Sequence, residues 1–126
     1  MNLYERIIIE LFKQKISFLI IGSYARLWNY KKGVFPKDLD IWINPIFSGR
    51  IISLNGHDVV LNEDCVVEIQ DGILKLNIFI KVHGLNFESS LKQSCKKVLK
   101  DNVILHYINE NDCLTNLMKV KELWDF

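Results

Sequence analysis

An alternation of acidic and apolar residues, Asp38-Leu39-Asp40-Ile41-Trp42-Ile43, most constrains what this chain can fold into. Successive side chains in a strand point to opposite faces, so Asp38 and Asp40 project together while Leu39, Ile41 and Ile43 point the other way into a core. Two carboxylates this close repel each other unless solvent or a cation relieves the repulsion. Mg²⁺ is usually held by one or two carboxylates plus substrate phosphates. The pattern predicts a strand that carries either a cation site or two solvated carboxylates.

A second motif lies upstream, where the apolar run Phe18-Leu19-Ile20-Ile21 leads into Gly22 and Ser23 and then into a short helix over residues 24–30. A strand-to-helix turn presents backbone N–H groups and the positive end of a helix to an anion. Gly22 permits close backbone approach, and the Ser23 hydroxyl can donate to a phosphate. Lys37, on the loop before the aspartates, adds positive charge. Taken alone, the Gly-Ser pair is better explained by Ser23 acting as the cap of the helix.

The remaining pattern predicts helices and strands in alternation. Residues 46–62 are compatible with a short helix or with a hairpin through Asn55-Gly56, a favoured two-residue turn. A further hairpin is predicted to pair 66–70 with 73–81 through Asp71-Gly72. A helical stripe is predicted over 2–15, and a second one runs from Phe87 through Leu91 and Cys95 to Val98. A strand is predicted over 103–107. A last helix is predicted from Leu114 to Leu123, after a cap at Asn109.

This order favours an α/β (α+β) fold, a mixed β-sheet flanked by helices. A length of 126 residues is enough for one domain with a core, so we expect a single minimal domain over 1–126. The formal charge of +1 gives no general attraction to nucleic acid or to an anionic membrane. The three cysteines fit no zinc pattern or disulfide framework. No export signal or membrane-spanning stretch is visible, so we expect a cytoplasmic protein with no membrane partner.

The paired motifs at Gly22-Ser23 and at Asp38-Leu39-Asp40 resemble those of the nucleotidyltransferase superfamily, the fold of DNA polymerase β, and most of all its small bacterial members. The resemblance continues at Leu74-Lys75-Leu76-Asn77-Ile78, where the family has a strand with a third acid, and at the junction Ile108-Asn109-Glu110, where it has a final strand-to-helix turn. It implies that Asp38 and Asp40 bind Mg²⁺, that Gly22, Ser23 and Lys37 hold the phosphates of a nucleoside triphosphate, and that position 77 completes the catalytic site.

This sequence departs from the family at Asn77, because an amide oxygen can coordinate a metal but cannot accept a proton from a nucleophile. The predicted hairpin places Asn77 on the face of Asp38 and Asp40, and pairs Glu68 with Lys75 and Gln70 with Ile73. Glu68 then either replaces the third acid or pairs with Lys75 across the strands, and the pair is the favoured interpretation.

Two functions follow from the resemblance. The first is Mg²⁺-dependent transfer of a nucleoside monophosphate from a nucleoside triphosphate to a hydroxyl of a protein, an RNA or a small molecule. The second, motivated by Asn77 and by the short chain, is a catalytically degenerate binding module. Such a module would act as the antitoxin or regulatory partner in a toxin–antitoxin or phage-defence pair.

Overall fold

The structure is a computed structural model, and it describes residues 3–30, 38–62, 67–71, 74–99 and 102–124. Four helices lie in these ranges: α1 (Leu3–Lys13), α2 (Gly22–Tyr30), α3 (Phe87–Lys92) and α4 (Glu110–Trp124). The strands are β1 (Phe18–Ile21), β2 (Asp38–Ile43), β3 (Ile51–Leu54), β4 (His57–Val60), β5 (Val67–Asp71), β6 (Leu74–Phe79), β7 (Cys95–Val98) and β8 (Ile104–Tyr107). None of the helices in the described ranges is long and apolar enough to cross a membrane.

Six of the strands form one mixed sheet in the order β5-β6-β2-β1-β8-β7. The central strand β1 runs antiparallel to β2 and parallel to β8, and β2 runs parallel to β6. The outer strands β5 and β7 are each antiparallel to their neighbour. This mixed sheet flanked by helices confirms the predicted α/β (α+β) class.

The sheet has a hydrophobic cluster on each face. Alternate residues of β1 divide between them, so that Ile20 joins one cluster and Leu19 and Ile21 join the other. This explains why β1 is apolar at every position. The first cluster includes apolar side chains of α1 and of the β3–β4 hairpin, and the second includes Phe87 of α3 and Cys113 of α4.

Of the two structures predicted for residues 46–62, a short helix and a hairpin, the structure contains the hairpin. After a single 3₁₀ turn at Pro45–Phe47, β3 and β4 pair antiparallel, with Leu54 opposite His57. Asn55 and Gly56 both have positive φ angles, of 50° and 78°. Two such residues in succession give the turn twist that a two-residue hairpin prefers.

The predicted helical stripe from Phe87 to Val98 is wrong beyond Lys92. The helix α3 begins where the Asn86 side chain accepts a hydrogen bond from the backbone N–H of Ser89 (3.1 Å), and it ends at Lys92. Residues Cys95–Val98 instead form β7, paired antiparallel with β8. The apolar spacing at Cys95 and Val98 fits a helix, but antiparallel pairing with the next strand along the chain, β8, overrides this local pattern.

The predicted pairing of β5 with β6 is wrong by two residues. Glu68 lies opposite Asn77, and Gln70 lies opposite Lys75. Asp71 pairs with Leu74, so it belongs to the strand, whereas Gly72 lies outside the described residues. A slip of two leaves each residue on its predicted face, because side chains alternate with a period of two.

Candidate functional site

The site lies where β2 and β6 run side by side. Their parallel register sets Asp38 opposite Lys75 and Asp40 opposite Asn77. The Nδ2 of Asn77 donates a hydrogen bond of 2.8 Å to the Oδ1 of Asp40. The predicted facing of Asn77 and Asp40 is therefore realised as direct contact.

Within the described part of the chain, nothing pairs with the other end of the Asn77 amide. The side chain is 9% exposed, and its Oδ1 atom is buried without a hydrogen bond. A buried, unsatisfied polar atom costs about 1–3 kcal/mol. A half turn of the amide would set this oxygen beside the carboxylate of Asp40. Two oxygens in that position repel each other unless a cation lies between them.

Gly22 is required by the carboxylate of Asp40. Ile21, the last residue of β1, lies opposite Asp40, so the chain leaves the strand directly against this side chain. Gly22 has a φ angle of +67°, and a Cβ atom there would overlap the Oδ2 of Asp40. The sequence predicted a glycine that lets a phosphate approach. The structure shows one that makes room for the neighbouring aspartate.

Helix α2 begins at Gly22, so Ser23 lies in its first turn rather than before it. The Ser23 hydroxyl oxygen accepts a hydrogen bond of 2.9 Å from the Nη2 of Arg26. A hydroxyl that accepts keeps its own proton available for another acceptor, such as a phosphate oxygen. Arg26 was not predicted as a site residue, although its position three residues after Ser23, on the same helix face, was a usable signal.

Charges around Asp40 act in opposite directions. Burial raises the pKa of Asp40 above its usual value, while the hydrogen bond from Asn77 lowers it. The nearby Asp38 carboxylate raises this pKa further, and the charges of Arg26 and Lys75 lower it. Burial is the largest of these effects, so the ionised form of Asp40 is disfavoured in the folded protein. A bound cation would remove this cost.

An open cavity of about 230 Å³ adjoins Asp40 and Gly22. Three basic side chains line it, Arg26, Lys81 and His83. Its apolar lining comes from Ile21, Phe79, Val82, Leu117 and Val120. Pockets for whole small-molecule ligands usually hold about 300–1,000 Å³, so this one suits part of a ligand. Its basic lining favours an anionic part.

Two further predicted positions are Lys37 and Glu68. Lys37 lies outside the described residues, so its place in the site stays a prediction. Glu68 was predicted to lie opposite Lys75, but the register sets it opposite Asn77. Within the described part of the chain, no three His, Cys, Asp or Glu residues converge to hold a metal ion. The described carboxylates of the site are those of Asp38 and Asp40.

No protein-family model, curated protein or solved structure matches this chain. Its function is therefore inferred from the geometry of the site.

Replacing Gly22 by alanine tests the contact with Asp40. The left-handed backbone alone costs about 1–2 kcal/mol for a residue with a side chain. Overlap with the carboxylate adds a cost of the overpacking kind, about 1–3 kcal/mol. We expect Gly22→Ala to lower the free energy of unfolding in urea by about 3 kcal/mol. The matched control is Gly49→Ala, because Gly49 has a φ angle of +83° and open space around its missing Cβ. Equal losses in the two variants would contradict the contact.

Replacing Asp40 by asparagine tests the cost of its buried charge. The substitution removes the charge and keeps an oxygen that can accept from Asn77. We expect Asp40→Asn to be more stable than the wild type at about pH 7, by about 0.5–2 kcal/mol. A raised pKa means that the folded protein gains stability as the pH falls and the carboxyl is protonated, so this advantage should shrink towards about pH 4. Thermal unfolding across this pH range checks it. A less stable variant at neutral pH would refute the argument.

Proposed function

We propose that this chain binds a nucleoside triphosphate together with one Mg²⁺ ion, in a site of nucleotidyltransferase type. The observation that carries the proposal is the contact of the buried Asp40 carboxylate with the amide of Asn77, whose oxygen has no hydrogen-bond partner among the described residues. A cation between these two groups would neutralise the carboxylate and satisfy the amide oxygen at once.

The residues present fit a magnesium ion only if phosphate oxygens of the nucleotide complete its coordination. Asp38 and Asp40 would supply carboxylate oxygens, and Asn77 would supply its amide oxygen after a half turn. Mg²⁺ demands near-octahedral geometry and is usually held by one or two carboxylates, waters and substrate phosphates. We therefore expect the metal to bind weakly alone and tightly with a nucleotide.

The phosphate side of the site is supported by α2. The helix presents the N–H groups of its first turn and the positive end of its dipole, which favour anions. The Ser23 hydroxyl and the Arg26 guanidinium lie on the same turn and contact each other. A guanidinium is well matched to phosphate oxygens. Lys37, which comes directly before Asp38 in the sequence, would add positive charge for the same phosphates.

Binding without transfer is the form of this function that the site supports best. Transfer by the two-metal route needs a second ion and a group that takes the proton of the attacking hydroxyl. Asn77 cannot take a proton. We therefore propose a degenerate nucleotidyltransferase that a partner protein recognises when nucleotide is bound. It would be the regulatory or antitoxin member of a toxin–antitoxin or phage-defence pair.

Transfer of a nucleoside monophosphate to a protein, RNA or small-molecule hydroxyl is the second candidate. One observation favours it: the register of β5 and β6 sets Glu68 directly opposite Asn77. An acid at this position of the sheet could replace the missing third carboxylate. The choice between the two candidates therefore depends on position 77 and its cross-strand neighbour.

Titration calorimetry with non-hydrolysable nucleoside triphosphate analogues tests the binding site. We expect saturable binding that requires Mg²⁺, and a loss of at least about tenfold in affinity on Asp38→Asn, equivalent to about 1.4 kcal/mol. Asp58→Asn is the matched control, since Asp58 is an exposed aspartate on the β3–β4 hairpin. Failure of all four common nucleotides to bind with Mg²⁺ would refute the proposed function.

Restoring an acid at position 77 tests the role of the amide. Asn77→Asp sets a second carboxylate against Asp40, and like charges this close repel. We expect the variant to melt at a lower temperature without metal and to gain more stability from Mg²⁺ than the wild type does. We also expect its Mg²⁺ affinity to rise by about tenfold.

The same variant separates the two candidates when it is incubated with labelled nucleoside triphosphates and candidate acceptors. Transfer by Asn77→Asp alone supports the degenerate form. Transfer by the wild type that is lost on Glu68→Gln supports the catalytic form. Unchanged Mg²⁺ affinity in Asn77→Asp would contradict a metal at this position.

A further inference from the structure

The outer face of α4 is apolar and exposed. Leu114, Leu117 and Met118 are 52%, 51% and 56% exposed. They are spaced three and four residues apart, which places them side by side on one face of the helix. Asp112 and Cys113, which are 6% and 4% exposed, lie on the buried side of α4, and Cys113 lies one turn before Leu117, so the stripe borders that side. Leu114, Met118 and the exposed half of Leu117 are thus left uncovered by the described residues.

Charged residues close the stripe at both ends. Glu110 lies one turn before Leu114 and Lys121 lies one turn after Leu117, and both are exposed. The spacing from 110 to 114 to 117 to 121 keeps all four positions on one helical face. This face therefore reads acidic, apolar, apolar, basic along the helix.

Such a face is complementary to itself when two copies of α4 pack antiparallel. A single two-fold axis midway along the segment from 110 to 121 sets Glu110 against the second copy's Lys121. The same axis sets Leu114 against the second copy's Leu117. Antiparallel packing also aligns the helix dipoles favourably. A two-fold contact of this kind is isologous, the commonest arrangement of protein dimers.

We infer that α4 is a self-association surface, through which two copies of this chain form an antiparallel two-fold dimer. The inference stands on the pattern of α4 and does not depend on the proposed function. It does affect the candidate site, because Leu117 also lines the cavity beside Asp40 and Arg26. In the dimer, the second copy's Leu114 covers this side of the cavity and adds apolar surface to it.

Sedimentation equilibrium over about 1–300 μM measures the association. We expect a concentration-dependent monomer–dimer equilibrium for the full chain. Leu114→Lys should raise the dissociation constant by at least about tenfold, because it buries a charge at the centre of the contact. Ile51→Lys is the matched control: Ile51 is 66% exposed on β3, away from α4, and its substitution should leave the equilibrium unchanged.

A charge exchange tests the antiparallel arrangement. Glu110→Lys and Lys121→Glu should each weaken the dimer by setting like charges together, and the double variant should restore it. Circular dichroism and the melting temperature confirm that each variant keeps its fold. A monomer at every concentration, or a dimer that withstands Leu114→Lys, overturns the inference. A dimer that the double variant does not restore overturns the antiparallel pairing.

Discussion

The carboxylate of Asp40 is the group that the site is built around. It points at the backbone where β1 becomes α2, and only a residue without a Cβ fits against it there. Gly22 meets this requirement and also begins the helix in a left-handed conformation, with a φ angle of +67°. The direction of α2, and with it the position of Ser23 and Arg26, therefore depends on how this one acid is accommodated.

In the structure, neighbouring protein groups stabilise the charge of Asp40. The amide of Asn77 donates to the carboxylate, and the charge of Arg26 lowers its pKa. These groups offset part of the burial cost but leave the oxygen of Asn77 unsatisfied. An acid at position 77 would instead add a second negative charge and make a cation a requirement. By this argument, a carboxylate at position 77 would make the site depend more on a bound cation than the amide does.

The sequence predicts the parts of the fold that depend on local pattern. The bounds of β1 and β2 agree with the predicted strands, because one is apolar throughout and the other alternates acidic with apolar residues over 38–41. The hairpin at Asn55-Gly56 has a turn whose residues accept positive φ angles. By contrast, β7 was predicted as helix, because its identity as a strand comes from its pairing with β8, which a local period does not reveal.

The sequence predicts which residues form the candidate site better than it predicts the contacts between them. The strand period indicated that Asp40 and Asn77 share a face. The contact of Gly22 with Asp40 requires that β1 and β2 be antiparallel neighbours with Ile21 opposite Asp40, and only the sheet order provides that. The pairing of Glu68 with Asn77 depends on where the chain turns, and a two-residue error there changed its predicted partner from Lys75.

In helix α4, the spacing of apolar residues predicts the helix but not the surface that it packs against. The spacing of Leu114, Leu117 and Met118 indicates a helix, but it does not say which surface the stripe meets. The inner side of α4 is held partly by polar contacts: Asp112 accepts from the side-chain amide of Gln93, and the Asn109 side chain caps the first turn. A helix anchored through polar groups on its inner side can leave apolar groups outside, and the proposed dimer would bury those groups.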